Sequence, residues 1–265
     1  MPSSLLEGKT VVVSGVGAGL GHQVAAAVVR DGGNAVLGAR TEANLAKSAA
    51  EIDPAGTRTA HRATDITDEA QCRALAALAQ ERFGGIDAVV HVAAWDSYFG
   101  GVEDADFDTW RQVVDVNLLG TLRMTRACLP SLRARPRGGS VVFIGTQSAV
   151  ASPSQVRQAA YAASKGALTS AMYSLAHEVG PDRIRVNTVL PGWMWGPPVE
   201  AYVQFTAHTE GVPEDEVRDR LASRMALPEL ATDGDVADAV AFLASDRARA
   251  ITGQSLLVNA GEIMR

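Results

Sequence analysis

Short apolar segments alternate along the chain with longer amphipathic ones. The amphipathic segments repeat their apolar residues at helical intervals, as in residues 42–52, 69–82 and 159–179. Alternating strands and helices of this kind predict an α/β fold: a doubly wound parallel sheet with helices on both faces. The apolar segments, each of a length that suits a buried strand, are residues 10–14, 35–37, 57–62, 87–91, 140–144, 184–189 and 255–258.

Two segments depart from the simple alternation. Residues 110–133 predict one long helix. Asn117 in its middle is a poor helix former, so we expect its side chain either to face solvent or to have a specific role. Residues 193–226 are rich in proline and aromatic residues, and we expect a flexible, irregular lid there with a helix at 214–224. With no repeat, linker or low-complexity segment, the 265 residues predict a single domain over 1–265.

A glycine-rich turn follows the first predicted strand. Gly15, Gly17, Gly19 and Gly21 stand between that strand and an apolar helix. Glycines at such a turn let the backbone approach a pyrophosphate, which then sits on the helix N-terminus. The spacing Gly15-x3-Gly19-x-Gly21 differs from the commoner G-x-G-x-x-G, and a plain strand–helix turn is the alternative. The turn predicts a dinucleotide cofactor.

The residues after the second and third strands bear on which dinucleotide is bound. An acidic residue after the second strand would bind a ribose 2′-hydroxyl, whereas a basic one accommodates a 2′-phosphate. The chain has Arg40 and Thr41 there, which favours NADP, with NAD as the second choice and a solvated arginine as the alternative. Asp65, after the third strand, either receives the adenine amino group or caps the helix that begins near Asp68.

A tyrosine and a lysine four residues apart suggest acid–base chemistry. Alanines and leucines around them predict a helix, so the Tyr161 phenol and the Lys165 ammonium share one face. A neighbouring cation favours a phenolate and lowers its pKa, which would let Tyr161 exchange a proton with a carbonyl or alcohol oxygen. A surface Tyr and Lys on an ordinary helix is the alternative.

Composition narrows the class of protein. The net charge of −6 and the scattered arginines argue against a nucleic-acid partner, and no apolar segment reaches membrane-spanning length. Cys72 and Cys128 fall inside predicted helices without a partner motif, so we expect buried, reduced thiols and a cytoplasmic location. The histidines lack metal-ligand spacing, and no metal is expected.

Taken together, these motifs are similar to those of the short-chain dehydrogenase/reductase family over nearly the whole chain. The motifs are Ser14-Gly15-x3-Gly19-Leu20-Gly21, Asp65, Asn117, Tyr161-x3-Lys165 and Pro191-Gly192. The resemblance implies a Rossmann fold and hydride transfer between nicotinamide C4 and a carbonyl or secondary alcohol carbon. Tyr161 would be the acid/base, Lys165 would lower its pKa and hold the nicotinamide ribose, and Asn117 would hold a proton-relaying water. The implied cofactor-binding residues are Gly15, Gly17, Gly19, Leu20, Gly21, Arg40, Asp65, Ile66, Ala93, Tyr161, Lys165, Pro191, Gly192 and Met194.

The family also uses a hydroxyl after the fifth strand to polarise the carbonyl. Counting from the strand selects Thr146, whereas counting back from Tyr161 by the family's commonest separation selects Ser148. A loop insertion would reconcile the two counts in favour of Thr146. Either hydroxyl could instead cap the loop.

Three departures from the family pattern concern cofactor binding more than chemistry. His91-Val92-Ala93-Ala94 replaces Asn-Asn-Ala-Gly, and we expect His91 to act as a core donor rather than a catalytic group. Gly17 replaces a Ser or Arg that often contacts the 2′-phosphate. Gly196 replaces the Thr that binds the carboxamide, which leaves backbone groups near Met194 to orient the ring.

Aromatic residues concentrate in the loops expected to face the substrate, although they are only 5% of the chain. They suggest an apolar, ring-containing substrate, and packing of the lid is the alternative. These residues are Trp95, Tyr98, Phe99, Trp193, Trp195, Tyr202 and Phe205.

The resulting hypothesis is an NADP-preferring ketone reductase or alcohol dehydrogenase for a hydrophobic small molecule. A cofactor-binding regulator with little turnover, or a related epimerase or dehydratase, is the alternative. Family resemblance also suggests a homodimer or homotetramer through the helices at 109–133 and 159–179.

Overall fold

A parallel sheet of seven strands forms the centre of the molecule, as the alternating pattern predicts. The computed structural model describes residues 4–151 and 156–265. The sheet has the order β3-β2-β1-β4-β5-β6-β9, and a second, two-stranded sheet pairs β7 with β8. The strands are β1 (Thr10–Ser14), β2 (Asn34–Ala39), β3 (Thr59–Ala63), β4 (Ala88–His91), β5 (Ser140–Ile144), β6 (Arg185–Pro191), β7 (Met194–Trp195), β8 (Ala231–Thr232) and β9 (Ser255–Val258).

Helices cover both faces of the seven-stranded sheet. Val11 and Val13 of β1 belong to an apolar cluster with the first, second and ninth helices, and Val12 points to a cluster with the third, fifth and sixth. Burial on both faces explains why the strands are almost continuously apolar. The helices are α1 (Leu20–Arg30), α2 (Glu42–Ile52), α3 (Glu69–Phe83), α4 (Phe107–Val114), α5 (Thr121–Arg133), α6 (Ala159–Val179), α7 (Pro197–Glu210), α8 (Glu214–Ala222) and α9 (Asp233–Ala244).

The predicted long helix at 110–133 is interrupted. It begins at Phe107, and the residues Asp115–Gly120 between α4 and α5 form a π-helical segment. Asn117 lies in this widened turn and is fully buried, so its side chain does not face solvent. One widened turn shifts the apolar positions by a single residue, which the hydrophobic pattern alone does not reveal.

The expectation of an irregular segment at 193–226 is wrong in part. Residues 197–210 form α7, with prolines at its first two positions, where the missing backbone N–H groups cost nothing. The predicted helix at 214–224 corresponds to α8. The two helices share a small apolar cluster formed by Val203, Ala207, Val217, Leu221, Met225 and Leu230.

Both cysteines are buried and unpaired, as expected. Cys72 lies in α3 and Cys128 in α5. Burial raises the pKa of Cys72 to about 11 and raises that of Cys128 further, so both stay as thiols. None of the helices in the two described ranges combines the length and apolar character needed to cross a bilayer.

Candidate active site

A cleft of about 1080 Å³ opens at the carboxyl ends of the strands. It lies where the strand order reverses between β1 and β4, the position at which doubly wound sheets bind their ligands. The cleft lining includes most of the residues that the sequence assigns to the adenosine side. Its main residues are Gly15, Val16, Gly17, Ala39, Arg40, Thr41, Asn44, Thr64, Asp65, Ile66, Thr67, Val92, Ala93, Ala94, Trp95 and Asp96.

The glycine turn after β1 has a backbone geometry that suits a pyrophosphate. Gly15 has a φ of 98°, and a Cβ there would lie 2.1 Å from the backbone nitrogen of Ala93. Only glycine fits, because the turn after β1 packs directly on the loop after β4. A Cβ at Gly17 would meet no atom within 4 Å, and Gly19 forms the N-cap of α1. Open backbone beside a helix N-terminus suits a dinucleotide phosphate.

The end of β2 offers a cation and a helix N-terminus together. Arg40 is exposed in the cleft and forms no ion pair with any described residue. Thr41 is the N-cap of α2, and its side chain makes no capping hydrogen bond. A guanidinium, a hydroxyl and a helix N-terminus at one place can hold a phosphate.

The structure distinguishes between the two roles considered for Asp65. Asp65 Oδ1 accepts hydrogen bonds from the Thr67 nitrogen (2.9 Å) and hydroxyl (2.7 Å). Asp68 caps α3 by accepting from two backbone N–H groups of its first turn. The capping alternative for Asp65 is therefore wrong, and its carboxylate lines the cleft.

Tyr161 and Lys165 lie on one face of α6, but their electrostatics differ from the expectation. Lys165 is buried; its Nζ donates to the Ile144 carbonyl (2.7 Å) and lies 5.8 Å from the centroid of the Tyr161 ring. Burial lowers the pKa of Lys165 to about 8, opposed by the Asp96 carboxylate. Burial raises the pKa of Tyr161, and Asp96 raises it further. The expected lowering by Lys165 is absent because desolvation outweighs a cation at this distance.

Thr146 and Ser148 occupy different positions relative to Tyr161. The Thr146 side chain acts on the Tyr161 phenol and partly offsets the rise in its pKa. Thr146 Oγ1 also accepts from the Ser148 backbone nitrogen at 3.2 Å. Ser148 itself lies in the short 3₁₀ turn Gln147–Ala149 that follows. Thr146 is therefore the N-cap of this turn, as the loop-capping alternative predicts, and of the two hydroxyls only that of Thr146 acts on the pKa of the phenol.

Asn117 joins the loop after β4 to α6. Its Oδ1 accepts from the Trp95 nitrogen (2.7 Å), and its Nδ2 donates to the Trp95 carbonyl (3.0 Å) and to Ser164 Oγ (3.0 Å). Both amide hydrogens are thus used within the protein, and Asn117 positions Trp95 and α6. The water-holding role implied by the resemblance stays a prediction.

His91 is a neutral core residue in β4. Its Nε2 lies 2.9 Å from Thr125 Oγ1, whose only hydrogen is donated to the Thr121 carbonyl at 2.8 Å. His91 Nε2 is therefore the protonated nitrogen and donates to Thr125. Burial lowers the pKa of His91 to about 3, so the ring carries no charge at neutral pH. These contacts agree with a core donor rather than a catalytic group.

A buried carboxylate, that of Glu262, connects the loop after β5 to the segment that follows α8, and sequence reasoning missed it. Glu262 accepts a hydrogen bond from Gln147, the residue after Thr146, and pairs with Arg224, which lies just after α8. Gln147 Oε1 also accepts from Asn259 Nδ2 at 3.0 Å. More than a hundred positions separate Gln147 from Glu262, so no local motif indicates the pairing.

Three of the candidate substrate-facing aromatic residues pack the lid instead. The rings of Trp193 and Tyr202 lie 4.9 Å apart, and the Arg224 guanidinium lies over Trp193. Arg218 lies 4.6 Å from the centroid of the Trp195 ring. The alternative interpretation, lid packing, holds for these residues, whereas Trp95 lines the cleft.

Comparisons with known proteins agree on one family over nearly the full length. A family model described as enoyl-(acyl carrier protein) reductase matches residues 15–262. An uncharacterized oxidoreductase of Methylorubrum extorquens is 33% identical over 259 residues, covering 97% of this chain and 99% of that protein. A short-chain type dehydrogenase/reductase structure from Mycobacterium ulcerans superposes with a TM-score of 0.87 at 28% identity, covering 97% of this chain and 90% of that one. An actinorhodin polyketide ketoreductase variant with NADPH has a TM-score of 0.86 at 27% identity, covering 96% and 97%.

Proposed function

Since the chain belongs to the short-chain dehydrogenase/reductase family, we propose that it is an NADP-preferring ketone reductase or alcohol dehydrogenase for a hydrophobic small molecule. The family consists of oxidoreductases that use nicotinamide cofactors, which agrees with the shape and lining of the cleft. The observation that carries the proposal is the group formed by Tyr161, Thr146 and Lys165: the charge of Asp96, a residue of the cleft lining, acts on both the phenol and the ammonium.

Each of these side chains has a chemical task in the proposed reaction. A bound nicotinamide supplies or accepts hydride at C4. Tyr161 donates its phenolic proton to the substrate oxygen during reduction, while the Thr146 hydroxyl polarises the same carbonyl. Burial and the charge of Asp96 raise the pKa of the Tyr161 phenol, so the phenol carries the proton that it would donate during reduction. Lys165 holds a positive charge next to this site and would bind the nicotinamide ribose.

Exposed apolar side chains support a hydrophobic substrate. Phe99 in the loop after β4 is 64% exposed, and Phe205 on α7 is 70% exposed, while Trp95 lines the cleft. The loop after β4 is tied to the start of α6, because Gly100 N donates to the Arg157 carbonyl at 2.8 Å. Burial of a ring against these side chains would hold the substrate carbonyl near Tyr161.

The proposal also includes self-association and location. Leu119 in the π-helical segment and Tyr173 on α6 are 43% and 50% exposed, and large exposed apolar groups on these helices suit contact with a second copy. We therefore propose a homodimer or homotetramer.

The buried thiols Cys72 and Cys128 suit a reducing, cytoplasmic setting.

Cofactor titration followed by a panel of ketones and alcohols tests the enzyme assignment. Cofactor oxidation that depends on a ketone would support it. Tight NADPH binding without any turnover would favour a regulator instead. Product formation without net use of cofactor would favour an epimerase or dehydratase.

Replacing Arg40 by Asp tests the cofactor preference. Loss of the cation at the α2 N-terminus removes a charged partner of the 2′-phosphate, and an anion there suits a free ribose hydroxyl instead. We expect the ratio of kcat/KM for NADPH over NADH to fall by about 10- to 100-fold. Arg62→Asp, an exposed charge change on neighbouring β3, is the matched control. An unchanged ratio in Arg40→Asp would count against this residue as the phosphate partner.

Parallel Thr146→Val and Ser148→Ala variants test the carbonyl-polarising hydroxyl. Valine keeps the shape of Thr146 and removes only its hydroxyl, which contacts Tyr161. Loss of one donor to the reacting oxygen is expected to lower kcat by about 100-fold or more in Thr146→Val. Ser148→Ala is expected to retain kcat within about threefold, because the hydroxyl of a loop residue outside the site contributes little. A larger loss of kcat in Ser148→Ala would transfer the role to Ser148.

A further inference from the structure

The carboxylate of Asp233 lies between two loops that border the cofactor site. Asp233 is the first residue of α9. A Cβ built on Gly19, the N-cap of α1, would lie 3.1 Å from Asp233 Oδ2, and one built on Gly196, the N-cap of α7, would lie 2.9 Å from it. The carboxylate therefore touches both the phosphate-binding turn and the segment that follows β6.

This carboxylate is partly buried and has no partner in the described part of the chain. It accepts no hydrogen bond there and forms no ion pair, since Thr232 and Asp235 make the capping box of α9 without it. Burial raises the pKa of Asp233, and the charge of Glu200 adds to the effect. A half-buried carboxylate that no protein donor occupies is free to accept a hydrogen bond from a ligand.

A side chain at position 196 would require the Asp233 carboxylate to move, whereas the backbone of Gly196 does not itself require glycine. Its φ of 176° and ψ of −179° are extended values that any residue adopts. A side chain, however, would start only 2.9 Å from Asp233 Oδ2, closer than a Cβ contact allows. The carboxylate thus fills the space where a side chain at position 196 would lie.

The chemistry of a nicotinamide dinucleotide limits what the carboxylate can bind. Its pyrophosphate only accepts hydrogen bonds and would be repelled, so the partner is an amino, amide or hydroxyl donor. The adenosine end is assigned to Arg40 and Asp65, at the β2 and β3 side of the cleft. β6 and the segment after it lie on the other side, next to β5 and Thr146, where the nicotinamide end belongs.

Resting on the cofactor assigned under the proposed function, we propose that Asp233 is a positioning residue that accepts a hydrogen bond from the carboxamide N–H₂ of bound nicotinamide. Asp233, on α9, then binds the carboxamide, a role that the family pattern assigns to a Thr at position 196. By holding the carboxamide, it determines which face of the ring is turned toward the substrate.

Equilibrium binding of three ligands to the wild type and to Asp233→Ala tests the proposal. The ligands are NADPH, its 3-acetylpyridine analogue, in which a methyl group replaces the amide N–H₂, and 2′-phospho-ADP-ribose, which lacks the nicotinamide. Asp233→Ala is expected to weaken NADPH binding by about 10-fold or more. The affinities for the other two ligands are expected to change by no more than about twofold. Asp238→Asn, on the same helix but paired with Arg30 at 2.8 Å outside the cleft, is the control.

Contrary outcomes of this experiment are distinguishable from one another. Tighter binding of all three ligands to Asp233→Ala would mean that the carboxylate only repels the pyrophosphate, and the proposal would be wrong. Equal weakening for all three would mean a structural role and would also overturn it. Failure of the wild type to bind NADPH would instead refute the cofactor assignment itself.

A second substitution keeps the test independent of folding defects. Gly196→Thr alone is expected to weaken NADPH binding, because its side chain overlaps the Asp233 carboxylate. Combined with Asp233→Ala, the same threonine gains room and a hydroxyl that can face the carboxamide. We expect the double variant to bind NADPH more tightly than either single variant, and additive losses would contradict the proposal.

Discussion

Tyr161→Phe is expected to lower kcat for ketone reduction by about a thousandfold while the protein still folds and binds NADPH. Phenylalanine retains the ring that packs at the start of α6 and removes only the hydroxyl, which contacts Thr146. The proton donor to the substrate oxygen is lost, whereas the glycine turn and Arg40 are untouched. Steady-state kinetics, NADPH titration and thermal unfolding of the two proteins measure these three properties.

Tyr173→Phe provides the matched control for this prediction. The substitution is the same and lies on the same helix, but the Tyr173 side chain is half exposed and lies twelve residues beyond Tyr161 along α6. Its kcat should equal that of the wild type. If Tyr161→Phe kept kcat within about tenfold of the wild type, an acid–base role for Tyr161 would be untenable.

Lys165→Met is expected to lower kcat/KM for NADPH by about 100-fold and to remove a pH dependence that the wild type shows. Burial lowers the pKa of Lys165 to about 8, so the wild-type lysine loses its charge as pH rises through that value. Since kcat/KM reports the free enzyme, that of the wild type should fall above about pH 8. Methionine fills a similar volume without a charge, and its pH profile should lack this step.

Lys165 also makes the free energy of unfolding depend on pH, in a direction that follows from its pKa. Its pKa is lower in the folded protein than its ordinary value of 10.5, so the unfolded chain binds more protons between about pH 8 and pH 10.5. The free energy of unfolding of the wild type should therefore rise with pH in this window, relative to Lys165→Met, by on the order of 2 kcal/mol. Urea unfolding of both proteins at several pH values measures the difference.

The exposed Lys47 on α2 offers a control for the stability measurement. Lys47→Met removes a lysine that pairs only with Glu51 at the surface, and its unfolding free energy should run parallel to that of the wild type across the window. If the curve for Lys165→Met also ran parallel to the wild type, the buried lysine would not be titrating there.

Much of the architecture follows from the amino-acid sequence because the relevant signals are local. Strands buried on both faces must be apolar throughout, so β1 and β5 lie at the residues that the pattern selects. A four-residue spacing on a helix puts Tyr161 and Lys165 on one face in any fold. Gly15 marks a turn that only glycine permits, and such a turn is recognisable from the chain alone.

The tertiary structure decided everything that depends on which distant residues meet. The partners of Asn117 come from another loop and another helix, and the effect of Thr146 on the Tyr161 phenol supports the proposal of Thr146 over Ser148. The π-helical turn and α7 were missed because one widened turn, or a pair of prolines at a helix start, leaves no distinct hydrophobic period.

The electrostatics of the site also depend on the tertiary structure and not on the sequence pattern alone. The four-residue spacing predicts a lowered pKa for Tyr161, yet desolvation by the surrounding chain raises it, and no sequence pattern states how deeply a group is buried. Position 196 shows only a glycine in the sequence, and folding places the Asp233 carboxylate of α9 against it. Periodicity and spacing act within a few residues along the chain, whereas packing and electrostatics depend on atoms that only folding brings together.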